Sequence, residues 1–267
     1  MTLALALPTD NGVEPLASIA FQGLHPSLRV YGDHAFDVPM VFFDIETTGL
    51  VAGYDKIIEI GAVKYDARKR LVSTWHQYYD PEMSIPDEAA AVHGISDKIM
   101  KEMVNRGQAI TMTKRSLESL RGFIGDAKTV AHNGEVFDGP FVDQTCRSLK
   151  IDPIISTAGV IDTLNIARMR WPGRKASLDE ICRRVGVDLS IRQGGHGALI
   201  DSILLAMVFP QMVQGGNENL LSSLIDTRPA PEAYGRVGDR LLWSPSVVEV
   251  ERHTSMMKAI QKKAAKS

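Results

Sequence analysis

Two carboxylates with the chemistry of a metal site, Asp44 and Glu46, follow an apolar run in this sequence. The run Met40–Phe43 is typical of a buried strand, and strand side chains alternate between faces, so that residues two apart project the same way. Like charges held together at a buried edge repel each other unless cations lie between them, and hard ions such as Mg²⁺ prefer oxygen ligands. An isolated Asp-x-Glu pair would be better interpreted as a solvated strand end.

A second carboxylate site stands in the segment HNGEVFD, residues 132–138. A short strand is predicted to end near His132, and Asp138 opens a predicted helix, where a negative charge is stabilised by the helix dipole. Considered by itself, Asp138 would be interpreted as a helix N-cap.

A third site is the segment GGHGALID, which contains His196 and Asp201. Residues five apart on one helix lie about 140° apart in angle, so the two cannot share a face if both are helical. The flanking glycines therefore indicate that His196 stands on a loop and Asp201 in the first turns of the following helix. Asp201 would be costly in so apolar a helix unless it is paired or bound to metal, the alternative being a satisfied core Asp that caps the helix.

Together these segments supply the residues that two-metal phosphodiester hydrolysis requires. Two ions about 3.5–4 Å apart activate a water and stabilise the leaving oxygen. The carboxylates would supply the metal ligands, and a loop histidine could serve as the general base. The set consists of Asp44, Glu46, Asp138, Asp201 and His196.

The surrounding pattern predicts an α/β fold with a mixed sheet. Three successive strands with short connections, from Val41, Lys56–Tyr65 and Leu71–Tyr79, indicate an antiparallel meander. Short strands alternating with helices follow, so parallel strands and covering helices complete the prediction. The predicted helices are 113–125, 138–149, 163–171, 178–185, which a Ser177/Glu180 capping box begins, and 198–213.

The chain divides into three parts by composition. Residues 1–38 have no clear period and form an extension of unpredicted structure, and residues 39–213 form the predicted catalytic domain. Residues 214–267 combine a Gly/Pro-rich linker with a final helix that a Ser246/Glu249 capping box begins.

Overall composition limits the functional classes. At 267 residues and 44% hydrophobic the chain can bury one good core, and a net charge of −2 leaves no global basic surface, so any nucleic-acid contact must be local. Cys146 and Cys182 have no metal-ligand spacing and are predicted to be reduced core thiols. The opening eight residues are too short and lack the basic start of a signal peptide, so a soluble, cytoplasmic protein without membrane contact is expected.

The motifs DIETTG, HN…FD and HGALID resemble those of the DEDDh 3′–5′ exonucleases. More narrowly, the segments IIEIGAVKY, AVHGISD and HGALIDSILLAMVF are similar to those of the proofreading epsilon subunits of bacterial DNA polymerase III. The resemblance covers about residues 41–212, and so many collinear segments are far more specific than one Asp-x-Glu pair.

This resemblance implies an RNase H-like fold, two Mg²⁺ or Mn²⁺ ions, and release of 5′-mononucleotides from the 3′ ends of single-stranded or mispaired DNA. It makes His196 the general base and assigns the metal ligands to Asp44, Glu46, Asp138 and Asp201. It also implies that the substrate is contacted by Asp44, Glu46, Thr47, Glu88, His93 and Asp201.

One departure from the family concerns the second motif, where three residues rather than the usual two separate Asn133 from Phe137. Either a bulge absorbs the additional residue or Asn133 is displaced. A basic Pro-Gly loop with Arg174 and Lys175 offers candidates for phosphate contacts.

The tail looks like the segment through which epsilon subunits bind the polymerase. Arg240–Trp243 and the helix after it resemble a docking element for an alpha-type subunit, although a helix that folds back on its own domain is the alternative. One alternative function is a stand-alone nuclease that acts on RNA ends, which would need no tail. The other is a mainly scaffolding subunit, and loss of a site residue would favour it.

Overall fold

The computed structural model describes residues 39–66, 71–155, 157–192 and 196–213. The predicted N-terminal extension, the linker and the C-terminal docking helix lie outside these residues.

The core of the described chain is one six-stranded sheet with the strand order β4-β3-β2-β1-β5-β6. The first three strands pair in antiparallel fashion, whereas β4, β5 and β6 join in parallel. This arrangement confirms the predicted mixed sheet with an antiparallel meander. The strands are β1 (Met40–Thr47), β2 (Ile57–Asp66), β3 (Leu71–Asp80), β4 (Ala109–Thr111), β5 (Lys128–Ala131) and β6 (Ile161–Asp162).

Seven helices accompany the sheet in the described ranges. The last five match the predicted helices to within one residue at each end, while α1, α2 and β4 were not predicted. The helices are α1 (Asp87–His93), α2 (Asp97–Asn105), α3 (Lys114–Ile124), α4 (Asp138–Ser148), α5 (Thr163–Arg170), α6 (Leu178–Val185) and α7 (Ala198–Val213).

The two faces of β1 pack into two different hydrophobic clusters. Phe42 faces the helices α5, α6 and α7, and its ring meets Phe209 edge-on at 5.4 Å. Phe43, one residue later, faces α3 and α4 instead. The same alternation directs Asp44 and Glu46 to the face that α7 covers.

Helix α7 lies directly on the sheet because β2 has a glycine beneath it. A Cβ atom at Gly61 would lie within 2.2 Å of the backbone nitrogen of Leu199. One turn on, the buried hydroxyl of Ser202 donates to the Gly61 carbonyl oxygen at 2.9 Å. Gly61 pairs across the sheet with Asp44, so this contact sets the first turn of α7 beside the first carboxylate.

The two cysteines are free and buried, as predicted. Among the described helices none is both long enough and apolar enough to cross a membrane.

Candidate active site

Three carboxylates from two elements converge at the end of β1. Asp44 and Glu46 project from the strand, and Asp201 stands in the first turn of α7. One oxygen from each of the three lies within 4.8 Å of the other two. This separation is short enough for a single cation to be shared among them.

Asp138 approaches the cluster from the first turn of α4. Its side chain is only 2% exposed, and its Oδ1 atom is buried without a hydrogen-bond partner in the described structure. Its charge is the largest neighbouring influence that raises the pKa of Asp44, after burial itself. A buried carboxylate oxygen without a partner is costly in free energy, and a cation would satisfy it.

A turn accommodates the additional residue of the HNGEVFD segment. Asn133 adopts a left-handed conformation with φ 69°, and its carbonyl accepts from the backbone N–H groups of Val136 and Phe137 at 3.2 and 3.0 Å. The carboxylate of Asp162 holds this turn by accepting from the backbone N–H groups of Asn133 at 2.9 Å and Glu135 at 3.3 Å. Asp138 therefore still begins the helix, and the insertion is absorbed by a turn rather than by a strand bulge.

His196 lies two residues before α7, and its ring meets the side chain of Asp201. The distance from His196 Nδ1 to Asp201 Oδ2 is 3.0 Å, and the histidine side chain is 46% exposed. The loop geometry brings together two residues that one continuous helix would have kept on different faces.

Arg192 occupies the other oxygen of the same carboxylate. Its Nε donates to Asp201 Oδ1 at 2.7 Å, and its terminal nitrogen pairs with Asp179. No sequence motif singled out Arg192, because nothing in its spacing connects it with Asp201.

The charges of the carboxylate cluster are only partly compensated by Arg192. Burial, together with the charges of Asp138 and Asp201, raises the pKa of Asp44 well above its usual range. Burial and the charge of Glu59 raise the pKa of Glu46 to about 8, against the opposing effect of Arg192. Burial raises the pKa of Asp138 to about 7. Protons or cations must therefore be bound here at neutral pH.

Glu59 is a fifth carboxylate that the sequence did not single out. It pairs with Glu46 across β1 and β2, is 2% exposed, and lies 2.8 Å from His76 Nε2. The sequence did contain a signal for Glu59. Side chains alternate between the two faces along β2, and pairing with β1 in register places Glu59 on the same face as Glu46.

The residues expected to contact a terminal nucleotide lie on α1 and at the end of β1. Glu88 is exposed, whereas His93 is 7% exposed with its Nδ1 accepting from Ile95 N–H at 3.1 Å. Burial lowers the pKa of His93. Thr47 is buried and donates from its hydroxyl to the Gly49 carbonyl.

Helix α1 is hydrogen-bonded directly to the segment that carries His196. The backbone N–H of His196 donates to the carbonyl of Val92 at 3.2 Å, one residue before His93. The segment that carries the predicted general base is therefore in contact with the helix that carries Glu88 and His93.

A cavity of about 740 Å³ lies beside the carboxylate cluster. Its volume is in the range of ligand-binding clefts, about 300–1,000 Å³. Three of its lining residues, Asp44, His196 and Asp201, belong to the predicted catalytic set, and four are arginines, namely Arg168, Arg174, Arg183 and Arg192.

Comparison with known proteins agrees with this geometry. A protein-family model described as an exonuclease (RNase_T) matches residues 41–209. The DNA polymerase III subunit epsilon of Rickettsia conorii is 33% identical over 84% of this chain and 97% of its own length. The Escherichia coli K12 protein of the same name is 36% identical over 66% of this chain and 71% of its own.

The fold also has a counterpart among solved structures. The nuclease domain of 3′hExo, a DEDDh family member solved with bound rAMP, aligns with 67% of this chain and 92% of its own at a TM-score of 0.53 and 18% identity. This likeness concerns the fold, and it confirms the predicted RNase H-like exonuclease architecture. The chain therefore belongs to the 3′–5′ exonuclease family that includes the epsilon subunits of bacterial DNA polymerase III.

Proposed function

We propose that this protein removes 5′-mononucleotides from the 3′ ends of single-stranded or mispaired DNA by metal-dependent hydrolysis. The observation that carries the proposal is the convergence of Asp44, Glu46 and Asp201 within 4.8 Å, with His196 in contact with the last of them. A cluster of buried carboxylates beside an exposed imidazole has little structural use, because the charges destabilise the fold unless cations bind.

Four carboxylates would hold two divalent ions of the Mg²⁺ or Mn²⁺ type. The fit rests on the donor set, which is entirely oxygen, and on the buried Asp138 Oδ1 atom, which lacks a partner in the described structure. When bound, such ions lower the pKa of the attacking water and stabilise the charge on the leaving oxygen. The ligands are Asp44, Glu46, Asp138 and Asp201.

His196 would take the proton from the attacking water. If Nδ1 donates to Asp201 Oδ2 at 3.0 Å, the neutral ring carries its lone pair on Nε2. The half-exposed ring can then present Nε2 to the reaction site, with Asp201 fixing its tautomer and orientation.

The 3′-terminal nucleotide would lie against α1, where Thr47, Glu88 and His93 are its proposed contacts. The Nε2 atom of His93 is buried, and the His93 ring also interacts with the backbone of Thr47. Because Nδ1 accepts from Ile95 N–H, the neutral ring carries its proton on Nε2, and a substrate oxygen could accept it. Asp44, Glu46 and Asp201 would meet the substrate through the phosphate that their metals hold.

The biological role we propose is proofreading within a DNA polymerase III. The relatives of known name are epsilon subunits, and the alignment with the Rickettsia conorii protein extends over 84% of this chain. Residues 214–267 would tether the nuclease to an alpha-type polymerase subunit. All five catalytic residues are present, which disfavours a purely scaffolding subunit.

The nuclease proposal is tested by incubating the full chain with matched DNA and RNA oligonucleotides labelled at the 5′ end, with Mg²⁺, with Mn²⁺ or with excess chelator. We expect shortening of the DNA one nucleotide at a time, release of 5′-mononucleotides, and no reaction in chelator. Preferential degradation of RNA would support the stand-alone alternative, and full activity in chelator would refute the metal mechanism.

The tether is tested separately with a chain that ends at Val213. We expect equal hydrolysis of a free single strand and loss of co-purification with an alpha-type subunit. The full chain carrying Asp44→Asn is the matched control, because it should keep the polymerase contact and lose hydrolysis. A truncated chain that still binds the polymerase would place the docking surface in the catalytic domain.

A further inference from the structure

We propose that the arginine-lined cavity beside the active site binds the nucleic-acid strand on the 5′ side of the scissile phosphate. Arg168 and Arg174 would contact the backbone phosphates there. This inference rests on the proposed exonuclease function and names the path that its substrate takes.

The cavity is lined both by residues of the proposed active site and by residues beyond it. Asp44, His196 and Asp201 belong to the first group, and the others come from the second-motif segment, from α5, from α6 and from the loops before and after α6. A strand whose last nucleotide lies against α1 must continue away from that helix, and this cavity, to which α1 contributes no lining residue, offers it a route.

Two of its four arginines are available to a ligand. Arg168 and Arg174 are exposed, and neither forms an ion pair within the described ranges. By contrast, Arg183 pairs with Asp179 and Glu180 along its own helix, and Arg192 pairs with Asp179 and Asp201. Guanidinium groups without a protein carboxylate partner suit the phosphodiester backbone, which carries one charge per nucleotide.

The loop that carries Arg174 is held in place by Trp171 and Arg184. The backbone N–H of Arg174 donates to the Trp171 carbonyl at 3.1 Å, and the Arg184 guanidinium lies 4.8 Å from the centre of the indole ring. Arg184 also donates to the carbonyl of Lys175 at 3.1 Å. These contacts position the loop before a ligand arrives, which reduces the entropy lost on binding.

The side chains of this cavity favour contacts with the phosphate backbone of the nucleic acid over contacts with its bases. Arg168 on α5 and Arg174 on the loop are sequence-independent phosphate contacts, and the chain as a whole carries a net charge of −2. A local basic cleft on a slightly acidic protein confines the polyanion to the one route that ends at the carboxylates.

The experiment compares the double variant Arg168→Gln/Arg174→Gln with the control Arg106→Gln/Arg115→Gln. The control removes the same charge from two exposed positions, Arg106 at the C-cap of α2 and Arg115 on α3. Each full-length protein is assayed on the p-nitrophenyl ester of thymidine 5′-phosphate, which has no upstream strand, and on oligothymidylates of increasing length.

We expect the double variant to hydrolyse the ester like the wild type, with its KM for long oligothymidylates raised about tenfold. Losing two phosphate contacts should also flatten the slope of log KM against log salt by about 1.4, at about 0.7 per contact on a single strand. The control should match the wild type on both substrates.

Three results would overturn the proposal. An unchanged KM for long oligothymidylates would show that the strand takes another route. An equal loss on the ester would show that the arginines act at the reaction centre. If the wild type hydrolysed neither substrate, the exonuclease function would fail, and this inference with it.

Discussion

Arg192 donates from Nε to Asp201 Oδ1 at 2.7 Å, and so places a fixed positive charge against the carboxylates proposed to bind metal. The same guanidinium pairs with Asp179 on α6. Its charge partly opposes the rise in the pKa of Glu46. Arg192 therefore neutralises part of the cluster when metal is absent and repels cations that approach it.

Replacement of Arg192 by glutamine should have opposite effects on fold and on metal. The metal-free protein should lose about 1–3 kcal/mol in its free energy of unfolding, because Asp201 and Asp179 lose charged partners. Mg²⁺ binding should tighten by about tenfold, or ~1.4 kcal/mol, since a competing cation is removed. Denaturant titration in chelator and calorimetric titration with Mg²⁺ measure the two effects.

Arg183→Gln is the matched control for that variant. Arg183 pairs with Asp179 and Glu180 but has no contact with the carboxylate cluster in the described structure. It should leave metal affinity unchanged and alter stability by less than about 1 kcal/mol, as exposed ion pairs do. Weaker Mg²⁺ binding by Arg192→Gln than by the wild type would show that Arg192 orients Asp201 for the metal.

Asp44→Asn should abolish hydrolysis while stabilising the metal-free fold. The substitution keeps the shape of the side chain but removes a charge that Asp138, Asp201 and Glu46 all oppose. Without its first ligand the site should lose metal-dependent turnover, and in chelator the melting temperature should rise by a few degrees, at about 2–4 °C per kcal/mol. Scanning calorimetry in chelator measures the change in melting temperature, and an oligonucleotide assay in Mg²⁺ measures the loss of hydrolysis.

Glu118→Gln on the exposed side of α3 controls for the simple loss of one negative charge. It should change neither activity nor melting temperature. Retention of activity by Asp44→Asn would remove Asp44 from the ligand set.

His196→Ala should lower turnover by roughly 10²–10⁴, the range expected for loss of a general base. Metal affinity should be largely kept, because His196 contacts the proposed ligand Asp201 without being one of the four ligands. Single-turnover kinetics and calorimetric Mg²⁺ titration separate the two properties. If metal binding vanished together with activity, His196 would have to be counted among the ligands.

The metal-free protein should become less stable as the pH rises. The folded-state pKa of Glu46 is raised to about 8 and that of Asp138 to about 7, so the folded chain binds more protons than the unfolded one above the ordinary carboxylate range. Stability is therefore lost as pH rises through the raised values. In chelator the melting temperature should fall by at least ~5 °C between pH 6 and about pH 8.5.

Excess Mg²⁺ should reverse this trend, because cations replace the protons and the gain in melting temperature should grow with pH. A metal-free melting temperature that rises over the same pH interval would contradict the raised pKa values. Asp44→Asn should reduce the dependence of the metal-free melting temperature on pH. Such a reduction would show that the carboxylate cluster causes this dependence.

The elements with strong local signals were predictable from the sequence. Ser177 caps α6 by accepting from the Glu180 N–H, and Gly186 ends that helix in a left-handed conformation, as the pattern indicated. The predicted capping box is only half formed, because the Glu180 carboxylate pairs with Arg183. Helix α1 was missed because it has seven residues and Pro86 offers it no side-chain cap. Helix α2 had a readable signal, since Ser96 accepts from the Ile99 N–H, but the pattern was not recognised.

The proposed metal ligands could be predicted from the sequence, whereas the residues that contact and support them could not. Asp44 and Glu46 are two residues apart on a strand, so their common direction follows from local geometry. Glu59, Asp162 and Arg192 act through contacts with residues 13, 29 and 9 positions away in the chain, namely Glu46, Asn133 and Asp201. Such contacts depend on strand register and loop path, which the spacing of residue types does not determine.

The close approach at Gly61 has a consequence for how the site tolerates change. Because a Cβ at this position would lie within 2.2 Å of the Leu199 nitrogen, main chain meets main chain where α7 crosses β2. The spacing between the two halves of the metal site is therefore set by backbone thickness and not by the size of any side chain. One methyl group at position 61 would therefore push the two halves apart.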